Sequence, residues 1–584
     1  MNGIRWRGAI RLLDRASSHA PRLPLRFSKR IFTQKHSPGR QGQCLPQESR
    51  AFSSFSARQR PSLYQADGVH AILRPPNAHV LQSAFPKKTV IFLLALGAAL
   101  YFIDVAIDDV EISDITPFND FPEHFYQTKE EVEHILDAHV ADSTNKEHHG
   151  PNMEWIDREF ANLAGKIMMT EDQARKAELP ITHAAAIGSN MPPEDYYAVG
   201  TAPGPGDDRW NFWGVYDGHA GSFMARMLQL ALIPYVSRDL SGLPPFSSSS
   251  IISQTIMKSF ANFDREQMSR ANRAASWYPA LNSAAQAALQ NVMSGSCALL
   301  AIFDPKASKL RVACTGDSRA VLGRWDYSGG KYTAIPLSKD QTGFNQDEVK
   351  RIMAEHPEEP DIIDPKTGRL LGIAVTRAFG DHRWKWDNDL VTKVKYKFFG
   401  PEPRLGNKTP PYMTAEPVIT EADIQRGDRG EKADFMIVAS DGLWDRMSSE
   451  HAVECVNRWL EARARGNGSI KSDPLYTPPP PISEQPYQLD PGVEFEPEKG
   501  RHPRWRAEPN YFAIEDENAA VCLIRNALGG TRRQLFHGLM VTASPFRRSI
   551  FDDTTVLVVF FDRVKGLDGE KEEKKVGRWW WPFS

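Results

Sequence analysis

The chain has 584 residues, 41% hydrophobic and 25% charged, a composition suited to a largely globular protein of one large domain or two or three average ones. The net charge of −2 conceals an asymmetry: residues 1–60 hold thirteen Lys or Arg against Asp14 and Glu48, so that segment is +11 and the remainder −13. The acidic body argues against nucleic acid as a partner, and five cysteines without a CxxC pair give no indication of a disulfide framework or a zinc site.

Residues 1–60 are rich in Arg and Ser and close on RAFSSFSARQR, a composition similar to a mitochondrial targeting leader. The run KKTVIFLLALGAALYFIDVAIDD follows, with no charge from Thr89 to Ile103. A spanning helix wants about twenty residues, so 87–107 is expected to be a short membrane-spanning or sorting segment, with membrane contact through 89–107. Residues 108–180 read as a polar connector with helical pieces such as TKEEVEHILDAHV. From 181 to 564 short β-rich runs alternate with helical stretches, the mark of the folded domain. Surface insertions are expected near 382–415 and 465–510, the second because it is Pro-rich. Cys297, Cys314 and Cys522 lie in apolar contexts and are expected to be core thiols. The tail, 565–584, is charged and closes on GRWWWPFS.

Acids recur where strands end. FWGVYDGHAG puts Asp217, Gly218 and His219 after an apolar run. Asp441 follows Phe435–Ala439, Asp317 sits in the turn of VACTGDSRAVLGR, Asp552 and Asp553 precede TTVLVVFF, and Glu194 and Asp195 open another strand. One such Asp is an ordinary turn former. A set of them, brought together by a sheet, repels itself unless cations join it, and oxygen ligands with few nearby Cys or His select Mg²⁺ or Mn²⁺. The expectation is a site for two or more such ions, with Asp217 bridging them, the Gly218 carbonyl as a ligand and His219 as a general acid.

Taken in order, FWGVYDGHAG, SGSCALLAIFD, VACTGDSRAVLGR, LSKDQTGFNQDEVKRI, VTRAFGD, FMIVASDGLWD and DDTTVLVV resemble the metal-dependent serine/threonine protein phosphatases of type 2C, from about Ala184 to Asp562. The resemblance implies an α+β fold, an α/β/β/α sandwich of two antiparallel sheets flanked by helices, and hydrolysis of phosphoserine and phosphothreonine without a covalent intermediate. It implies that Asp217, Gly218, Asp441, Asp552, Glu194, Asp195 and Asp317 hold the metals, with Asp553 replacing Asp552 if the motif slips by one residue. Ahead of the acidic pair the family often carries a phosphate-holding Arg, where this chain has AAAIGSNMPP. Arg377 of VTRAFGD either reaches the phosphopeptide or is braced by a local salt bridge. The insertion GDHRWKWDNDLVTKV with PPYMTAEP is similar to the catalytic subunits of mitochondrial pyruvate dehydrogenase phosphatases and their fungal relatives, which agrees with the leader. The apolar segment 87–107 suggests the inner membrane, with the domain on the matrix or the intermembrane-space side; a domain on the latter side could not reach a matrix dehydrogenase. The alternative is a catalytically inactive scaffold of the same fold, which loss of the metal acids would signal; none is missing.

Overall fold

The stretch TTVLVVF, Thr554–Phe560, carries apolar side chains on both faces, so a strand built from it needs a covering layer on each side. In the computed structural model it has both. The structure describes residues 165–427, 432–466, 469–472 and 489–561, together with Lys129, Ile156, Asp157, Arg158 and Phe160.

In chain order the strands are β1 Gly165–Met168, β2 Ile181–Ile187, β3 Tyr196–Pro203, β4 Arg209–Tyr216, β5 Gly218–His219, β6 Gly295–Ser296, β7 Ala298–Asp304, β8 Lys309–Thr315, β9 Arg319–Asp326, β10 Lys331–Pro336, β11 Ile363–Asp364, β12 Arg369–Leu370, β13 Phe379–Gly380, β14 Val418–Asp423, β15 Phe435–Ala439 and β16 Thr554–Phe560. Two large antiparallel sheets form, in the orders β1-β2-β16-β15-β9-β10 and β14-β8-β7-β4-β3, with a small sheet β13-β6-β5 and the pair β11-β12.

Strand alternation builds three apolar layers. Leu557 and Val559 of β16, Met436 and Val438 of β15, and Trp213, Val215, Leu299 and Ala301 of the second sheet meet between the sheets. The opposite face of the first sheet, with Val556, Val558, Phe435 and Ile437, packs on α4 Ser449–Arg465, α5 Ala519–Ala527 and α6 Arg533–Val541. Trp210, Phe212, Leu300 and Ile302 pack on α1 Phe223–Ser241, α2 Ser249–Trp277 and α3 Ser283–Met293. The caps are local: the side chains of Ser248, Asn282, Ser448 and Asn518 accept first-turn N–H groups of α2, α3, α4 and α5. The layering is the expected helix–sheet–sheet–helix α+β arrangement.

The structure departs from the sequence reading in three places. β1 falls in the stretch expected to be connector, where it pairs with β2 at the sheet edge. Trp505, within the insertion expected to lie on the surface, is buried and donates from Nε1 to the Ala527 carbonyl at 2.7 Å, because an indole brings enough apolar area to anchor the chain around it on the helix layer. In the 382–415 insertion, Trp384, Trp386, Val391, Val394 and Phe398 are buried, so that segment is partly core. The leader, the apolar run 87–107 and the tail lie outside the described residues. Among the described residues no helix is long and apolar enough to cross a membrane.

Candidate active site

The strand registers gather the acids. In one sheet Tyr196, opening β3, pairs with Tyr216, closing β4, and Ala298, opening β7, pairs with Thr315, closing β8. In the other Ile187, closing β2, pairs with Thr554, opening β16, and Ala439, closing β15, pairs with Arg319, opening β9. Glu194, Asp195, Asp217, Asp317, Asp441, Asp552 and Asp553 lie just beyond these ends. Ser440 Oγ donates to Asp195 Oδ2 at 2.7 Å and so ties the two sheets together there.

The acids feel one another. Burial pushes the Asp217 carboxyl well above the usual carboxylate range, helped by Asp441, Asp195 and Asp317. Asp441 is raised in the same way by burial, Asp317, Asp445 and Asp195. Burial lifts Asp195 to about 7 and Asp317 to about 6, against an ordinary value of 3.8. Arg548 pairs with Asp552, and its charge also reaches Asp195 and Asp441. One guanidinium does not neutralise this many carboxylates, and an oxygen-rich set short of positive charge is what hard divalent cations fit.

Asp552 and Asp553 have different surroundings. Asp553 is 2% exposed and both its oxygens are occupied: Oδ1 accepts from the Ser189 N–H at 2.6 Å, Ser189 Oγ at 2.8 Å and the Asn190 N–H at 3.1 Å, and Oδ2 from the Glu194 N–H at 2.5 Å and the Asp195 N–H at 3.4 Å. It shapes the loop that carries the acidic pair. Asp552 faces Arg548 instead, which favours Asp552 over its neighbour as a candidate ligand.

The small sheet delivers the imidazole. Gly218 pairs with Ser296, and Ser296 with Phe379, so β6 holds the DGH segment beside the GD segment. His219 Nε2 lies 2.7 Å from Asp381 Oδ2. Burial opposes the imidazolium, but the Asp381 carboxylate, with Asp317 and Glu194, outweighs it and raises the His219 pKa. A Cβ on Gly295 would collide with both groups of this pair, so the contact depends on that glycine. Gly218 is constrained too, because its Cβ would collide with the Glu194 carbonyl; this close approach adds a reason for glycine beyond the ligand role expected of it.

Asp381 is a site residue that sequence reading did not single out; its only signal was its place in VTRAFGD. Cys297 is the buried core thiol expected, packed with Ile352, Val375 and Ala378, and it also touches the acids. Its N–H donates to the Asp217 carbonyl at 2.8 Å, its Sγ donates to Asp317 Oδ1 at 3.3 Å, and ligand atoms of Asp217, Cys297 and Asp317 lie within 4.8 Å of one another. The apolar run that suggested a core thiol begins at the next residue. Arg377 is the braced arginine: it is 8% exposed and grips Glu348 with Nη2 at 2.7 Å and Nε at 3.0 Å.

A family model described as Protein phosphatase 2C matches residues 168–471. The chain belongs to the protein phosphatase 2C family. It is 34% identical over 384 residues to a protein phosphatase 2C homolog of Schizosaccharomyces pombe, covering 64% of this chain and 79% of that protein. It is 37% identical over 402 residues to the mitochondrial [pyruvate dehydrogenase [acetyl-transferring]]-phosphatase 1 of Saccharomyces cerevisiae, covering 65% and 68%. It is 32% identical over 287 residues to the corresponding human phosphatase 2, covering 47% and 49%. The protein is thus a metal-dependent protein serine/threonine phosphatase, similar to the pyruvate dehydrogenase phosphatases.

The crowded acids of this phosphatase 2C domain give a pH test. Between the ordinary carboxylate value and about 7 the folded protein, stripped of divalent ions, keeps protons on Asp195 and Asp317 that the unfolded chain has released. The stability these acids contribute therefore falls as pH rises through that window, whereas His183, His382 and His537, held neutral by burial, act in the opposite sense below their ordinary value of 6.5. Melting curves in chelator at pH 6.5 and pH 8, above the range in which those histidines dominate, are expected to show the decline, and added Mg²⁺ or Mn²⁺ to reduce it. A melting temperature that rises from pH 6.5 to pH 8 in chelator would contradict the crowding.

Proposed function

We propose that this phosphatase hydrolyses phosphoserine and phosphothreonine in proteins through attack of a metal-activated water. Asp217, Gly218 through its carbonyl oxygen, Glu194, Asp195, Asp441, Asp552 and Asp317 would hold two or more Mg²⁺ or Mn²⁺ ions. Bound there, the ions would supply a hydroxide near neutral pH and offset the charge of a phosphate ester. The observation that carries this reading is the set of carboxylates raised by burial and by one another at a single end of the sandwich.

The chain's own residues supply the rest. His219, kept protonated by Asp381, donates a proton to the departing alkoxide of serine or threonine. Asp381 is itself positioned from behind. Asp264 accepts the Gly380 N–H at 2.8 Å and the Lys385 ammonium at 2.7 Å, which pins both sides of the segment. Ser440 orients Asp195, and Asp553 orients the Glu194 backbone.

A mitochondrial location is supported by the basic leader and by the names of the relatives, and a mitochondrial protein such as pyruvate dehydrogenase is the proposed substrate on the same names. Inner-membrane anchorage rests on the apolar run 87–107 alone.

The test is phosphate release from a phosphoserine peptide by the full chain. Turnover is expected with Mg²⁺ or Mn²⁺ and not in chelator. Folded protein that turned over no phosphopeptide with either metal would overturn the reading in favour of the scaffold.

A further inference from the structure

Most arginines of the described fold face an acid: Arg377 meets Glu348, Arg324 Asp434, Arg319 Asp340 and Arg525 Asp516. Arg383 and Arg404 do not. Both are half-buried, the Nε of each is buried without a hydrogen-bond partner, and among the described residues neither guanidinium pairs with a carboxylate. Glu402, the nearby acid in sequence, is taken by Lys395 at 2.6 Å.

The two arginines share a support. The Arg404 Cζ lies 4.3 Å from the centre of the Trp384 ring and the Arg383 Cζ 5.5 Å from it. Trp384 is buried and its Nε1 donates to the Leu370 carbonyl at 3.1 Å, so the ring is fixed. The backbones are pinned as well. Asn407 Nδ2 donates to the Arg383 carbonyl at 3.1 Å and the Trp386 carbonyl at 2.9 Å, and Asn388 Nδ2 to the Arg404 carbonyl at 3.1 Å. Burial lowers the pKa of both, and Arg404 lowers that of Arg383 further, while Asp381 opposes the shift in each and Glu402 opposes it in Arg383. Thus the pair lies within the field of the carboxylate that holds His219, and Arg383 is two residues beyond it.

Two partly desolvated guanidinium groups of like charge, held in place without a carboxylate in direct contact and offset only at a distance by Asp381 and, for Arg383, Glu402, are favourable places for an anion to join. Planar fork donors suit carboxylate and phosphate. We propose that Arg383 and Arg404 form an anion subsite beside the catalytic end, which selects phosphopeptides bearing a second acidic group next to the phosphoserine to be hydrolysed. The substrate class rests on the phosphatase reading above; the anion site itself does not.

The test compares the full chain with the double variant Arg383→Gln, Arg404→Gln. Three phosphoserine peptides are used, with neutral flanks, with a flanking Glu, and with a second phosphoserine. Wild type is expected to favour the acidic peptides in kcat/KM by about tenfold or more, mainly through KM, as expected for charge-assisted pairs. The variant should lose that preference and keep its turnover of the neutral peptide. Preference for only the doubly phosphorylated peptide would identify the anion as phosphate, and equal preference for both would identify any acidic group. A preference unchanged in the variant, or an equal loss on all three peptides, would overturn the proposal. A second measurement is calorimetric titration of inorganic phosphate into chelated protein. Binding by wild type but not by the variant supports the subsite even if no peptide is turned over, in which case only the phosphatase reading fails; absence of binding by wild type overturns it.

Discussion

Replacing Asp217 by Asn is expected to reduce kcat on a phosphoserine peptide by on the order of 10³-fold, at the upper end of the cost of losing one charge-stabilising group. Asp217 lies where β4 ends and the small sheet begins, and burial with three neighbouring carboxylates raises its pKa. An amide keeps the shape and removes the charge, so circular dichroism should be unchanged. In chelator the variant should melt at a higher temperature than wild type, because a repelling carboxylate has gone. Loss of activity with lowered stability in chelator would show that the side chain is structural rather than a metal ligand.

Replacing Asp553 by Ala is expected to act in the opposite sense. Five donors from residues 189–195 converge on that buried carboxylate. Leaving them without an acceptor costs about 3 kcal/mol or more, since charge-assisted hydrogen bonds contribute about 1.5–3 kcal/mol each and do not add fully. Urea unfolding of the metal-free variant should show that loss, and activity should fall with it because Glu194 and Asp195 ride on the same loop. Asp552→Ala, whose side chain is 34% exposed and paired with Arg548, should lose activity with less than about 1 kcal/mol of stability. The pair of variants separates the two adjacent acids, which the motif alone leaves interchangeable.

Much of the site was legible because strand periodicity and strand-end acids are local signals. The uninterrupted apolar run Phe435–Ala439 is written in consecutive residues, as is the placing of Asp441 after it; which residues face which layer is seen only in the fold. What could not be read depended on distant partners. His219 and Asp381 are 162 residues apart, and nothing near Asp381 marks it as the carboxylate facing an imidazole. Cys297 stands one residue ahead of β7, so a window of sequence averages it with the apolar strand, whereas its amide is bonded to Asp217. Arg548 was invisible for the same reason: its charge matters only once β16 brings it among acids from other strands. β1 was missed because an edge strand of four residues carries too little pattern to stand out from a polar connector.

The position of β16, between β2 and β15, has a consequence for how the protein is made. Ser189 and Asp553 are 364 residues apart, which at 5–20 residues per second takes roughly 20–70 s of synthesis to bridge. Until then the six-stranded sheet lacks a central strand, and β2 and β15 present open hydrogen-bonding edges on which another chain can add. The high contact order that gathers the acids therefore leaves the nascent polypeptide open to aggregation for most of its synthesis.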